Sequence, residues 1–240
     1  MKAWEGKKLG VIGGLGPKAT AYFFDLVVDN TKADSDQDHI DAIYLNHASM
    51  PDRTRSILFN RTERLKELLI ADAKLLQSLG VSYIAIPCNT SHYLYDDIQK
   101  AVKIPVINMI DETLGYISQK YGKGKVGVLA TTGTREMKIY DKYAQKYNIE
   151  VVYPSQKGQQ KVMEAIYSGV KAGKDVSPSD LDSVISELKD KGCMCVVLAC
   201  TELSVIWNGV NDEYIIDSLL TLPEELLYCV VKRLRTNILF

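Results

Sequence analysis

The chain of 240 residues is 46% apolar and 25% charged, and its formal net charge at pH 7 is −1. Charges of both signs are spread along the sequence, which excludes the single-sign field that attracts nucleic acid or anionic lipid. No apolar run approaches the roughly 20 residues of a membrane span and no apolar leader precedes the first predicted strand, so we expect a cytoplasmic protein of one large or two small domains, without nucleic-acid or membrane partners.

Strand-like and helix-like patterns alternate along the first half of the chain. Pro17 opens the first helix, because the missing N–H of proline costs nothing at the first helical position. Asn60 and Glu63 form a predicted capping pair for a long helix, and Gly80 ends it. The apolar residues of this helix follow the helical period at Leu65, Leu68, Leu69, Leu75, Leu76 and Leu79. The predicted elements are strand 8–12, a helix from residue 17, strand 40–46, the long helix 60–79 after the polar stretch 51–59, strand 81–86, a helix to about residue 102 and strand 105–109.

The second half of the chain repeats this design. Residues 125–134 carry the same strand and small-residue turn as the beginning of the chain. Gly127 follows Gly10 by 117 residues and Cys200 follows Cys88 by 112, and two landmarks with nearly the same offset indicate an internal duplication. The alternative is chance similarity, since short strand–helix units all share this pattern.

The duplication predicts how the chain divides into domains. We predict an α/β fold of two similar parallel-sheet domains related by pseudo-twofold symmetry, with a cleft between them that holds the active site. The first domain is assigned residues 1–112 together with a returning helix in 218–240, and the second domain is assigned residues 113–217.

Cys88 and Cys200 each follow an apolar, strand-like run and precede a helical pattern. The carboxyl ends of strands are where α/β sheets bind their ligands, and a helix N-terminus favours a thiolate over a thiol. Two thiols that face each other across a cleft can act on opposite faces of one carbon atom. This pair is therefore the main catalytic candidate.

The other cysteines carry weaker signals. Five cysteines are too few and too scattered for a disulfide framework, which favours a reducing compartment. Cys193 and Cys195 lie near Cys200 and suggest a metal site, but they are expected on one face of a strand, and zinc sites usually have the spacing Cys-x2-Cys. Cys229 is expected to pack as a small apolar side chain in the terminal helix.

The first glycine turn, residues 14–19, fits a variant of the dinucleotide-binding fingerprint. That fingerprint also requires an acidic residue at the end of the following strand, where this chain has Asn46 and His47. The context for a nicotinamide or flavin cofactor is therefore missing. An anion pocket for a carboxylate at the helix N-terminus remains consistent with the turn.

Five motifs stand in order along nearly the whole chain: Gly13-Gly14-Leu15-Gly16-Pro17, Pro51-Asp52-Arg53-Thr54, Pro87-Cys88-Asn89-Thr90-Ser91-His92, Ala130-Thr131-Thr132-Gly133-Thr134 and Cys200-Thr201-Glu202-Leu203. Together they resemble the cofactor-independent aspartate/glutamate racemases, specifically the aspartate racemase branch. The resemblance implies a two-domain α/β fold with the active site between the domains, a homodimer, and racemisation without pyridoxal phosphate or metal.

Two departures refine the branch. Glutamate racemases of cell-wall synthesis typically have Asp-Ser-Gly-x-Gly-Gly at the first turn and Cys-Thr-His at the second cysteine. This chain has Gly13-Gly14-Leu15-Gly16 and Cys200-Thr201-Glu202 at these places. The aspartate or broad-specificity branch is favoured. Ala199 stands where that branch commonly has glycine.

Racemisation explains why two thiols are present. The α-hydrogen of an amino acid is a very weak acid, so its removal requires a positioned base, donors aimed at the developing charge and exclusion of water. One cysteine takes the proton as thiolate, and the other returns a proton to the opposite face. The resemblance implies that Cys200 serves the L-enantiomer and Cys88 the D-enantiomer.

The remaining candidate residues bind substrate. Hydroxyl and N–H groups near the two cysteines and at the second small-residue turn are suited to hold the α-carboxylate, although each threonine is equally suited to cap a helix; these residues are Asn89, Thr90, Thr131, Thr132, Thr134 and Thr201. The resemblance implies that Arg53 and Lys171 bind the substrate's side-chain carboxylate, while solvated surface charge is the alternative. His92 and Glu202 either tune thiol ionisation or orient the local helix.

The predicted function is racemisation of aspartate, with glutamate or a broader range of amino acids also open. Hydantoin racemases and maleate isomerases of the same superfamily use two cysteines as well, so they are alternatives. A carboxylate-binding module with a redox-switched cysteine pair is a further alternative.

Overall fold

Two parallel β-sheets organise residues 7–221, the part of the chain that the computed structural model describes. The first sheet has the strand order β2-β1-β3, with β1 Leu9–Gly13, β2 Ala42–Asn46 and β3 Tyr83–Ala85. The second sheet has the order β5-β4-β6-β7, with β4 Gly124–Ala130, β5 Ile149–Val152, β6 Cys193–Ala199 and β7 Ile215–Asp217. All strand pairs are parallel, and we call the parts of the chain built around β1–β3 and β4–β7 the first and second units.

The helices connect these strands and cover the sheets, as parallel strand order requires. The helices of the first unit are α1 Pro17–Asn30, α2 Arg53–Leu58, α3 Glu63–Ser78, α4 Tyr95–Ala101 and α5 Met109–Tyr121. Those of the second unit are α6 Thr132–Glu136, α7 Ile139–Ala144, α8 Gln156–Met163, α9 Asp182–Asp190 and α10 Thr201–Ile206. Residues 218–221 are helical as well. Among residues 7–221 there is no helix with the length and apolar character needed to cross a membrane.

The two sheets have equivalent strand orders. Val106 pairs with Ile84 of β3 in one isolated parallel bridge. Val106 therefore lies next to β3 in the same way as β7 lies next to β6. The predicted α/β fold with two parallel sheets is therefore confirmed. The predicted strand 105–109 is wrong beyond this single bridge, because Asn108 caps α5 and accepts hydrogen bonds from the N–H groups of Ile110 and Asp111. The predicted domain boundaries stay a prediction, and Cys229 and most of the returning helix lie outside the described residues.

One apolar core joins the two units. Leu9 and Val11 of β1 belong to the same buried cluster as Val126 and Val128 of β4, with α1 and α5 contributing side chains between the sheets. Two further clusters lie on the outer sides, one in each unit. We call the joint cluster the shared core.

The long helix α3 was predicted well at its end and less well at its start. Gly80 has φ +80°, which confirms it as the residue that terminates the helix. At the start, Asn60 lies outside the helix with φ 51°, and Thr62 occupies the capping position without a side-chain bond, so the predicted Asn60–Glu63 capping pair is wrong. Two predicted apolar positions, Leu75 and Leu79, are exposed.

The strand β6 contains a bulge. Lys125 pairs with Cys193 and its neighbour Val126 pairs with Cys195, so Met194 is an extra residue in β6. The expectation that Cys193 and Cys195 share one face is therefore wrong: Cys195 belongs to the shared core and Cys193 to the outer cluster of the second unit.

Asp217, at the end of β7, is a buried carboxyl whose pKa burial raises to about 6, against hydrogen bonds from Ser204 and the backbone of residues 219 and 220. This pKa lies above the unfolded value of about 4. The contribution of Asp217 to the free energy of unfolding is therefore full below about pH 4 and is lost as the pH rises through about 6.

We expect Asp217→Asn to raise the free energy of unfolding by up to roughly 3 kcal/mol at pH 8 and by little at pH 4, since two pKa units correspond to this amount. Urea unfolding at both pH values measures the difference. Asp190→Asn, at an exposed aspartate in α9, is the control. An equal effect of Asp217→Asn at the two pH values would contradict the expectation.

Candidate active site

The two candidate thiols stand at equivalent places in the two units. Cys88 follows β3 after a short connection, and Cys200 follows β6 directly and occupies the position before the first residue of α10. Both residues are buried, with 7% and 5% of their surface exposed. They line one pocket at the carboxyl ends of the two sheets. The structure therefore brings together the pair that the sequence singled out.

The pocket is narrow. Its cavity volume is about 10 Å³, which is close to the room that one water molecule needs. An amino acid therefore requires the pocket to open. The residues that line it are Leu15, Asp52, Arg53, Thr54, Cys88, Asn89, Thr90, Thr131, Tyr167, Lys171, Cys200, Thr201 and Glu202.

Three threonine hydroxyls join the two units beside the pocket. Thr90 Oγ1 of the first unit lies 3.0 Å from both Thr131 Oγ1 and Thr134 Oγ1 of the second, which are 3.2 Å apart. Thr131 also caps α6 by accepting the N–H of Thr134, so capping and pocket lining coexist at this residue. Thr134 and Thr132 do not line the pocket; the N–H of Thr132 points to the Met163 sulfur at 3.2 Å.

Asn89 is held on both polar atoms of its amide by residues from the second half of the chain. Tyr140 donates its hydroxyl hydrogen to Asn89 Oδ1 at 2.6 Å, and Asn89 Nδ2–H donates to Ser218 Oγ at 3.0 Å. Ser218 in turn donates to the carbonyl of Leu198 in β6. These bonds fix the segment that follows Cys88 against the strand that precedes Cys200.

Arg53 reaches the pocket from α2, a helix that lies within the polar stretch 51–59. Asp52 caps this helix by accepting the N–H of Arg55. The buried Arg53 guanidinium donates to three backbone carbonyls, at Met50, Pro51 and Leu15, with distances of 3.4, 3.0 and 2.6 Å. Its Nε–H has no acceptor within residues 7–221. This donor is therefore unused at the wall of the pocket.

Lys171, Glu202 and Cys200 form a connected group. The Lys171 ammonium lies 3.1 Å from Glu202 Oε1, and the Cys200 thiol donates to Glu202 Oε2 at 3.0 Å. Burial and the nearby Arg53 act to lower the pKa of Lys171, but the Glu202 carboxylate opposes them, and this pKa lies above its ordinary value. The Lys171 ammonium therefore stays charged.

Cys200 is a thiol rather than a thiolate in this narrow pocket. Burial, with the neighbouring Glu202 carboxylate, raises its pKa well above the usual value, against the opposing effect of Lys171. The expectation of a lowered pKa at a helix N-terminus is wrong for Cys200. Burial and the negative charge of Glu202 outweigh any lowering of the pKa by the N-terminus of the short helix α10. The arrangement is that of a proton donor.

His92 has a positioning role. It is buried, and burial lowers its pKa to about 4 despite its bond to the Cys88 carbonyl. Its Nδ1 lies 3.0 Å from that carbonyl, and its Nε2 accepts the N–H of Met109 at 3.2 Å. A neutral ring that donates at Nδ1 satisfies both contacts. Of the two alternatives for His92, the structure favours orientation of the chain at Cys88.

The sequence reasoning did not assign Asp52 or Tyr167 to the site. The Tyr167 hydroxyl donates to Asp52 at 2.9 Å across the pocket, and Lys171 lies 5.2 Å from the centre of the Tyr167 ring. Tyr167 lies in a π-helical turn, Glu164–Gly169, of a kind that often marks functional sites. Asp52 is next to Arg53 in its motif, which was the available signal.

The glycine turn before α1 already faces a carboxylate. A Cβ at Gly16 would lie 2.5 Å from Glu202 Oε1, so this oxygen packs against the glycine at the start of α1. The sequence predicted a pocket for a bound carboxylate at this turn, and in the structure the carboxylate of Glu202 lies there. No cluster of three metal-ligating side chains occurs in the described range 7–221.

Comparisons with known proteins bear on the family and the fold. The family model described as Asp/Glu/Hydantoin racemase matches residues 12–223. The structure of Picrophilus torridus aspartate racemase is similar with a TM-score of 0.84 and 31% identity, covering 96% of each chain. The broad specificity amino-acid racemase RacX of Bacillus subtilis (strain 168) is 28% identical over 213 residues, or 88% of this chain and 92% of that protein. Glutamate racemase from Francisella tularensis, solved with D-glutamate, shares the fold with a TM-score of 0.68 and 23% identity over 93% of this chain and 81% of that one.

Proposed function

The chain belongs to the Asp/Glu/Hydantoin racemase family, and we propose from this premise that it interconverts L- and D-aspartate with Cys88 and Cys200 as the two bases. We also propose that the reaction needs neither pyridoxal phosphate nor metal and that the enzyme works as a homodimer. The observation that carries the proposal is the placement of two buried thiols, from equivalent strand ends, in one pocket.

The proposed mechanism uses the two thiols in opposite roles. The Cys200 thiol already donates a hydrogen bond, so it is suited to return a proton to the substrate carbon. Cys88 as thiolate takes the α-proton from the other face, and the roles exchange for the opposite enantiomer. The resemblance assigns Cys88 to the D-enantiomer and Cys200 to the L-enantiomer. The burial of both thiols supports this chemistry, because exclusion of water strengthens each electrostatic contact with the developing charge.

Two cations support a dicarboxylic substrate. Arg53 and Lys171 line the same pocket as the thiols. Buried cations of this kind need anionic partners. We propose that they bind the side-chain carboxylate, while hydroxyls of Thr90, Thr131 and Thr201 hold the α-carboxylate. The Arg53 Nε–H, which has no acceptor in the described chain, supports this assignment.

A wider range of amino acids is the second candidate. The relative from Bacillus subtilis is named for broad specificity, and it covers most of this chain. The two candidates differ in whether uncharged amino acids react at rates comparable with aspartate. A panel of L-amino acids separates them.

We expect the purified protein to interconvert L- and D-aspartate after exhaustive dialysis against chelator, because the chain supplies both bases. Chiral chromatography of the reaction with each enantiomer measures it. Activity that is lost on dialysis and restored by pyridoxal phosphate or a divalent metal would contradict the mechanism.

A further inference from the structure

Glu202 is the unexpected group in this pocket. Its side chain is only 5% exposed, and its two oxygens face different partners, Lys171 at Oε1 and the Cys200 thiol at Oε2. Oε1 accepts no hydrogen bond from any residue in 7–221, although the Lys171 ammonium is 3.1 Å away. The ion pair therefore holds Lys171 by charge rather than by an aligned hydrogen bond.

Glu202 lies among groups that attract a carboxylate. It lies between Lys171 and the glycine turn at Gly16, where the N-terminus of the 14-residue α1 favours negative charge. The remaining cavity of about 10 Å³ has no room for a second carboxylate. The other charged and titratable groups that line the pocket with Glu202 are Lys171, Arg53, Cys200, Cys88, Asp52 and Tyr167.

We propose that Glu202 is a specificity-determining residue whose carboxylate occupies Lys171 in the ligand-free enzyme and is replaced there by the side-chain carboxylate of a dicarboxylic substrate. The inference rests on the proposed function, since it deepens the assignment of Lys171 to substrate binding. Glu202 is in this sense an internal competitor of the substrate.

The exchange has a defined energetic consequence. Lys171 already has an anionic partner, so a substrate carboxylate gains only the difference between two ion pairs. Removal of the charge of Glu202 leaves Lys171 unpaired in a largely buried place, with 23% of its side chain exposed. A buried cation without a partner binds an incoming carboxylate more strongly. A ligand with a single carboxylate depends much less on this exchange.

The test is equilibrium binding of succinate and butyrate by isothermal titration calorimetry. These probes have the same number of carbon atoms and differ in the second carboxylate. We expect Glu202→Gln, which keeps the shape of the side chain, to bind succinate on the order of 10-fold more tightly than wild type. The affinity for butyrate should change much less. Equal gains for both ligands, or weaker succinate binding, would overturn the proposal.

Lys171→Met provides the matched background. The gain from Glu202→Gln should disappear when Lys171 is also replaced, because the two residues act through one contact. A gain that persists without Lys171 overturns the proposal. Binding is measured without turnover, so a protein that binds succinate as expected but racemises nothing refutes the proposed function alone.

Gly16→Ala is the second variant, for use if Glu202→Gln does not fold. Its added Cβ would lie 2.5 Å from Glu202 Oε1, so that oxygen must move away. We expect tighter succinate binding here too, with a smaller change than in Glu202→Gln, and circular dichroism confirms that the fold is retained. Unchanged or weaker succinate binding in the folded Gly16→Ala protein would overturn the proposal.

Discussion

Replacement of either pocket cysteine by alanine should abolish racemisation of aspartate while leaving slow exchange of one enantiomer's α-hydrogen. Inversion requires a donor opposite the acceptor, and each variant has lost one of the two. The base that remains can still remove a proton and return one on its own face. In deuterated solvent, Cys88→Ala should exchange the α-hydrogen of L-aspartate alone, and Cys200→Ala that of D-aspartate alone.

Proton NMR of each enantiomer in deuterium oxide measures the exchange, and chiral chromatography of the same samples measures inversion. Cys193→Ala is the matched control, because Cys193 is a buried thiol at the opposite end of β6 from Cys200 and does not line the pocket. This control should keep racemisation. Exchange of both enantiomers by one pocket variant, or substantial racemisation by either, would refute the two-base mechanism.

Replacement of Arg53 by methionine should reduce racemisation of aspartate much more than that of any uncharged amino acid. Removal of one member of a buried charge pair typically costs on the order of 2–5 kcal/mol, or roughly 30-fold or more in kcat/KM. The expected loss applies to the substrate that carries a side-chain carboxylate. Steady-state kinetics with aspartate and with an uncharged amino acid provide the comparison.

Arg53 also holds three backbone carbonyls, so its loss affects the local chain as well as the ligand. Lys171→Met is therefore a useful companion variant, since within residues 7–221 the Lys171 side chain contacts the Glu202 carboxylate and the Tyr167 ring and holds no backbone carbonyl. Both variants should show the same selective loss. Equal losses for charged and uncharged substrates in Arg53→Met would mean that Arg53 is structural or binds the α-carboxylate.

The sequence was sufficient to predict the two parallel sheets and the meeting of Cys88 and Cys200. Both predictions follow from short-range patterns, namely buried strands that end in a thiol and a repeat with a nearly constant offset. Such patterns are local properties of the chain. The geometry of parallel sheets then determines which ends meet.

The errors arise where tertiary contacts decide the outcome. One extra residue, Met194, turns Cys193 and Cys195 to opposite faces, and strand alternation alone does not reveal a bulge. The pKa of Cys200 is set by burial and by Glu202, neither of which a helix N-terminus argument includes. The contacts of Glu202 with Lys171 and Gly16 join residues far apart in sequence. Only the folded chain shows them.

The shared core has a consequence for how the protein unfolds. Apolar side chains of β1 and β4 lie in one cluster, so neither unit retains a complete interior when the other is lost. We therefore do not expect the two units to unfold independently of each other. We expect cooperativity of this kind to give a single melting transition, in which Cys88 and Cys200 become exposed together.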